Sequence, residues 1–377
     1  MIPLQNLFAK LNLGLLIFVF SYCLENSAIA GSKLITANKS LDNRLLDLSI
    51  EELMKIEVTS ASRRSQKLSE VSSAIFVITQ DDIRRSGATS IPEALRMAPG
   101  VEVARVGTDK WSISVRGFNG RFANKLQVLM DGRSVYTPLF SGVIWSQQDT
   151  LIEDIERIEV IRGPGATVWG ANAVNGVINI ITKKAADTQG MLVTTGGGSF
   201  EQGFAGVRYG GKINEDTPFR IYAKGFSRDN TTSLSGTNVH DNWRSARAGF
   251  RLDHRRGIDQ LTLQGDIFVN SIGDSLLQPS LAAPHTRLDI VDSKEKGGNI
   301  RLRWDRTLSE KSSIMLQTYY DRVNNQLAPW TKYAESFDVD FQHRLPLFTR
   351  HDVTWGLNYR LYNNKVQETE LTTFTPN

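Results

Sequence analysis

From Gly190 onward the chain alternates apolar and polar residues with a period of two. Ala246, Ala248, Phe250 and Leu252 interleave with Ser245, Arg247, Gly249 and Arg251; Leu261, Leu263, Gly265, Ile267 and Val269 interleave with Thr262, Gln264, Asp266 and Asn270. The same holds for Ile300, Leu302 and Trp304 against Arg301, Arg303 and Asp305, for Phe337, Val339 and Phe341 against Asp338, Asp340 and Gln342, and along Val353, Trp355, Leu357, Tyr359 and Leu361. With weaker runs near 190, 205, 220 and 316, the pattern predicts about nine strands, each with one apolar and one polar face. A soluble sandwich would turn the apolar face inward, whereas an outer-membrane barrel would turn it to lipid and keep the polar face in a wet lumen. Periodicity leaves both open.

Upstream the pattern is mixed. Ser49-Ile50-Glu51-Glu52 reads as a capping box opening a short helix to about Lys55, followed by an extended piece, Ile56 to Ser60. Residues 61–70, rich in Ser, Arg and Lys, read as a linker. Ala74 to Ile78 is an apolar strand, and Thr79 caps a helix that runs to about Arg85 and stops at Gly87. Ser90-Ile91-Pro92-Glu93 opens a second helix that ends at Pro99-Gly100. Ser112 to Arg116 alternates, Leu126 to Met130 and Ser134 to Tyr136 flank an Asp131-Gly132 type I′ turn, and Ile155 to Arg162 and Val177 to Thr182 are further strands. A Gly-rich stretch, Gly163 to Gly176, separates them, and its first part, Gly163 through Gly170, reads as a tight turn.

The first thirty residues change the compartment. Lys10, the apolar run Leu11 to Phe20 and Ala28-Ile29-Ala30 have the layout of a secretory signal peptide with an A-x-A cleavage site. This ten-residue stretch, interrupted by Asn12, spans only about 15 Å, half of a ~30 Å bilayer core. Cys23, the one cysteine, lies inside this segment, and Tyr22 is too bulky for a lipoprotein signal. The exported chain would carry no thiol, which excludes a disulfide scaffold, a Cys-ligated metal and a cysteine enzyme. With 44 Lys and Arg against 40 Asp and Glu, the net charge of +4 is too balanced for a nucleic-acid binder. Export, the missing thiols and the charged strand faces favour the barrel.

Several motifs then occur in a telling order. They are Val77-Ile78-Thr79 with Asp82-Ile83, Ile91-Pro92-Glu93-Ala94-Leu95 with Ala98-Pro99-Gly100-Val101, Ser114-Val115-Arg116-Gly117-Phe118 and Val128-Leu129-Met130-Asp131-Gly132-Arg133. Ile155-Glu156-Arg157-Ile158-Glu159-Val160-Ile161-Arg162-Gly163-Pro164 and Ala171-Asn172-Ala173-Val174-Asn175-Gly176-Val177-Ile178-Asn179-Ile180 complete the series. This stretch resembles the plug domain of TonB-dependent outer-membrane receptors. The resemblance implies an α+β plug followed by antiparallel transmembrane β-barrel strands, in a bacterial outer membrane, importing a scarce nutrient. The expected layout is a signal peptide (1–30), an N-terminal extension with a Ton box and linker (31–70), the plug (71–185) and a partial barrel (186–377). Residues 186–377 number 192, whereas the family's 22 strands of about 10 residues need ~220 without loops. The expectation is therefore an incomplete barrel, about nine of 22 strands, from the N-terminal part of a receptor, ending at Asn377 without a terminal aromatic strand.

The resemblance also assigns roles. Ile56, Glu57, Val58, Thr59 and Ser60 are the candidate Ton box, released on ligand binding and captured by the TonB C-terminal domain as an added strand, with the ExbB-ExbD inner-membrane complex behind it. Arg116 and Arg162 match plug arginines that pair with barrel glutamates, a plausible latch whose partners are expected in later strands. Arg121, Phe122 and Asn124, with Tyr136, Phe140 and Trp145, lie in the loops expected to face the ligand. Arginine beside aromatics suits an anionic, ring-bearing chelate such as a ferric siderophore, with cobalamin, haem or an oligosaccharide as alternatives. The expected partners are thus TonB, the chelate and outer-membrane lipid.

Other chemistry finds little footing. Gly163-Pro164-Gly165 lacks the Gly-Lys-Ser/Thr ending of a phosphate loop, and Pro164 removes a donor. His240, His254, His285, His343 and His351 have no metal-ligand spacing. No nucleophile-base set appears, so neither an enzyme nor a cofactor is expected; a secreted, non-transporting ligand-binding protein is the rival reading.

Overall fold

The computed structural model describes residues 57–60, 63, 66–71, 73–280, 282–327, 330–348 and 351–367. The signal peptide, the helix expected over Ser49 to Lys55, Ile56 and the terminal residues 368–377 lie outside them.

The plug is built on a five-stranded mixed sheet in the order β3-β10-β11-β6-β7. Before it, β1 (Glu57–Val58) pairs antiparallel with β2 (Gln66–Lys67). β3 (Ile75–Thr79) leads into α1 (Gln80–Ser86), which starts where the sequence indicates: Thr79 and Asp82 exchange side-chain-to-backbone hydrogen bonds, and Gly87 closes the helix at φ +71°. α2 (Ile91–Leu95) follows, but Ser90 makes no capping bond there. β4 (Val101–Arg105) and β5 (Trp111–Val115) form a separate hairpin. β6 (Leu126–Met130) turns through Asp131 and Gly132, both at positive φ as a type I′ turn requires, into β7 (Arg133–Ser134). β8 (Tyr136–Thr137) and β9 (Gly142–Val143) make a small ribbon. β10 (Ile155–Arg162) pairs antiparallel with β3 and with β11 (Gly176–Thr182), and β11 runs parallel to β6.

Two expectations are corrected. The 61–70 linker contains strand β2 and a 3-10 turn, Leu68–Glu70. The tight turn expected over Gly163 through Gly170 contains a one-turn helix, α3 (Ala166–Trp169). The larger hydrophobic core lies on one side of the sheet, with Ile78, Ile83, Leu95, Ile113, Ile158 and Ile180 nearly free of solvent. A smaller cluster, Leu129, Ile161, Ala173 and Val177, covers part of the other face.

Nine long strands follow as one antiparallel meander: β12 (Gly190–Gly196), β13 (Glu201–Asn214), β14 (Thr217–Arg228), β15 (Trp243–Arg256), β16 (Asp259–Pro279), β17 (Thr286–Ser309), β18 (Ser312–Leu327), β19 (Trp330–Leu347) and β20 (His351–Gln367). Their polarity decides between the two architectures. The apolar face is exposed, with Ile267 at 62% and Leu357 at 72%, whereas the polar face is buried against the plug, with Arg301 at 4% and Asp338 at 1%. A soluble sandwich would bury the opposite face, so this is a barrel sheet holding a plug. Within the described residues the sheet does not close, and β12 and β20 are its edges. One end carries tight turns such as residues 257–258; the other carries the longer 229–242 and 280–285 connections.

Candidate functional site

Thr59 and Ser60 of the predicted Ton-box segment are held on the plug sheet by buried side chains, Glu159 first among them. Glu159 is fully buried in β10. Its carboxylate accepts from the Thr59 amide at 3.1 and 3.0 Å, from the Ser60 amide at 2.8 Å, from the Ser60 hydroxyl, and from Arg157 Nε at 2.8 Å. Asn179, the register partner of Glu159 on β11, donates to Ser60 Oγ at 3.0 Å, and Trp169 Nε1 donates to the Ser60 carbonyl at 2.6 Å. Val58 and Ser60 have no solvent exposure. Just beyond, Arg63 stacks 4.6 Å over Trp169 and reaches β19, pairing with Asp340 at 2.9 Å. Sequence reasoning passes over Glu159 and Asn179. The signal is there, a Glu and an Asn each set inside an apolar strand run, Ile158 to Ile161 and Val177 to Ile181.

The expected latch residues lie together at the Gly163 end of β10. Arg116 is exposed at φ +59°, with its guanidinium beside Gly163, and Arg162 donates to the Pro99 carbonyl at 3.2 Å. Neither has a carboxylate partner among the described residues. Among the described residues, ion pairs bind plug to barrel elsewhere: Arg133 with Asp321 at 2.6 Å, Lys110 with Asp274 at 2.5 Å, Asp149 with Lys224 at 2.8 Å, and Asp154 with Arg208 and Arg220. Glu295 of β17 accepts from Ser146 at 3.1 Å and Gln147 at 3.0 Å. Asp131, in the hairpin turn, accepts from Thr182 and Gln264, and Arg301 holds its carbonyl. Burial pushes the Asp131 carboxyl upward, but the charges of Arg301 and Arg251 with the Thr182 amide outweigh it and hold it below its ordinary value.

The expected ligand residues divide. Phe122 and Phe140 stack at 5.0 Å with an interplanar angle of 12°, which brings two separate loops together. Arg121 lies 5.2 Å over Phe122, and Lys332 from β19 lies 4.8 Å over Phe140 while reaching Thr137. Tyr136 is half-buried and Asn124 exposed. Trp145 is a correction: it is 5% exposed and belongs to the plug core with Ile113, Leu126 and Val128, because its 3-10 turn points it inward.

The structure adds a cavity of about 650 Å³ at the long-loop end. Arg105 and Gly107 of the β4-β5 hairpin line it with Phe200, Asp229, Asn230 and Thr231 of the barrel loops. Arg105 stacks 4.1 Å from Phe200, and its Nη2 is buried without a hydrogen-bond partner among the described residues. Asp241 ties the loop to the hairpin, accepting from Thr231 at 2.7 Å and from the Thr108 amide at 3.1 Å. Nothing in the sequence joins these residues; only the approach of the barrel loops to the plug does.

Residues 67–177 match the family described as TonB-dependent Receptor Plug Domain. The chain is 37% identical over 147 residues to the Vitamin B12 transporter BtuB of Vibrio vulnificus, covering 38% of this chain and 23% of that protein. It is 33% identical over 224 residues to the Vitamin B12 transporter BtuB of Photobacterium profundum, covering 54% and 36%. Among solved structures, the closed form of the ferric-catecholate import receptor Fiu from E. coli K12 superposes with a TM-score of 0.67 at 16% identity, over 85% of this chain and 51% of that one. The ferripyoverdine receptor of Pseudomonas aeruginosa superposes with a TM-score of 0.64 at 16% identity, over 82% and 45%. The chain thus spans about half the length of these structures and less of the curated relatives. These relatives are transporters and receptors rather than enzymes.

Proposed function

We propose that this chain is the plug and a run of nine barrel strands of a TonB-dependent receptor, and that it serves uptake of a scarce nutrient across the bacterial outer membrane. The observation that carries this reading is the polarity of the sheet, apolar outward and polar against a plug to which it is ion-paired. Residues 1–30 are its export signal in this reading. The longer loops mark the outer side, since barrels of this kind keep short turns in the periplasm. In this reading residues 56–60 are the strand offered to the TonB C-terminal domain on the energy-coupling side, with the ExbB-ExbD complex behind it.

For the ligand, the stacked Phe122 and Phe140 between Arg121 and Lys332 suit an anionic, ring-bearing chelate such as a ferric catecholate siderophore. Asn124 and Tyr136 are further candidates from the same loops, and Arg105 in the cavity at the long-loop end supplies a further cation. Cobalamin is the second reading, favoured by the identity to two vitamin B12 transporters. Calorimetric titration of the purified protein in detergent with a ferric catecholate and with cyanocobalamin tests both. Saturable binding of the catecholate, weakened about tenfold by Arg121→Ala, supports the first reading; saturable binding of cyanocobalamin alone supports the second. Binding of neither overturns the ligand assignment.

A further inference from the structure

We propose that Glu159 is the positioning residue that keeps the 57–60 segment stowed, and that loss of its hydrogen bonds frees that segment for capture. The proposal rests on reading residues 56–60 as the strand offered to TonB. A carboxylate fully buried in the middle of a sheet is costly unless its oxygens are saturated by donors. Here four of the donors come from two consecutive residues of the segment, the amides and hydroxyls of Thr59 and Ser60, and one from Arg157 on the same strand.

Every polar atom of Ser60 is matched in turn. Its amide and hydroxyl go to Glu159, its hydroxyl oxygen accepts from Asn179, and its carbonyl accepts from Trp169. Two of these contacts use backbone groups, the amide as donor and the carbonyl as acceptor, so the site recognises an extended chain at one register, which a one-residue slip would break. Arg157 makes the latch reversible. When the segment leaves, its guanidinium stays beside Glu159, and the charge is not left alone in the plug.

Glu159→Gln keeps the shape but replaces one acceptor oxygen with an NH2. Because Oε1 serves Thr59 and Arg157 while Oε2 serves Thr59 and Ser60, either orientation of the amide sets donor against donor.

The test reads the exposure of position 58 in the full chain, in detergent and without ligand, carrying Cys23→Ser and Val58→Cys. Val58 is wholly buried, so a bulky polar maleimide should label the cysteine slowly. Glu159→Gln should speed labelling about tenfold or more, the ratio for losing one hydrogen bond to a buried charge. Val128→Cys, in the plug core, should stay protected in the same variant. Should it label as well, the plug itself has loosened, and Ser60→Ala decides, since it removes a donor from the segment and leaves the sheet intact. Faster Val58→Cys labelling in Ser60→Ala upholds the latch; labelling unchanged by both variants overturns it. Capture by the TonB C-terminal domain separates the two claims. Exposure of position 58 in Glu159→Gln without added capture upholds the latch and overturns the Ton-box reading, whereas capture of the unsubstituted segment with no effect of either variant on labelling overturns the latch alone.

Discussion

Asp109 and Glu159 are two buried carboxylates in one plug with opposite surroundings. Glu159 is surrounded by donors, whereas Asp109, at the tip of the β4-β5 hairpin, has a buried Oδ1 without a hydrogen-bond partner among the described residues. Burial pushes the Asp109 carboxyl up to about 7; Glu295 and Asp274 add to this, and Lys110 and Arg121 oppose it. In the unfolded chain the group ionises near its ordinary value of 3.8. The folded state therefore holds an extra proton between those values, and the associated stability is full at low pH and lost as pH rises through about 7. Asp109→Asn removes the dependence. Thermal unfolding in detergent, followed from about pH 5 to about pH 8, should show the parent losing stability relative to the variant, by on the order of 2–4 kcal/mol at the upper end. Parallel profiles would contradict the assignment. Such a group is invisible in sequence, since Thr108-Asp109-Lys110 reads as an ordinary polar turn until Asp274 and Glu295 of the barrel close over it.

At the scale of elements, what the sequence discloses is what local chemistry decides. The Thr79 helix start and the Asp131-Gly132 turn are legible because the residues that cap or bend the chain are its own neighbours. Strand β2 and helix α3 are not, for β2 is defined by pairing with β1 and α3 has no buried face or cap to announce it. Trp145 shows the same limit from the side of the site. An aromatic in a loop looks alike in sequence whether it faces ligand or core, and here the core wins. The β8-β9 ribbon depends on one small residue that the sequence does not mark. A Cβ on Gly142 would lie 2.8 Å from Phe122 Cα, a backbone atom that cannot rotate away. Gly142→Ala should therefore cost about 1–3 kcal/mol and disturb the Phe122-Phe140 stack. A melting temperature equal to that of the parent would argue against this contact.

For the whole molecule, period-two alternation discloses the strands and conceals their orientation. The same pattern serves a sandwich and a barrel, and only the burial of Arg301 and Asp338 beside the exposure of Ile267 and Leu357 separates them. The plug-barrel ion pairs escape the sequence for a related reason. Which arginine meets which carboxylate depends on pairs far apart in sequence, and Arg133 with Asp321 or Arg63 with Asp340 carries no local signature. The account stands on the outward face meeting lipid while the inward face grips the plug. Nitroxides at Ile267→Cys and Leu357→Cys, in a Cys23→Ser background reconstituted in bilayers, test this by collision with oxygen and with a water-soluble nickel chelate. High oxygen and low nickel accessibility at both positions is the predicted result; high nickel accessibility at both would place the apolar face in water and contradict the account.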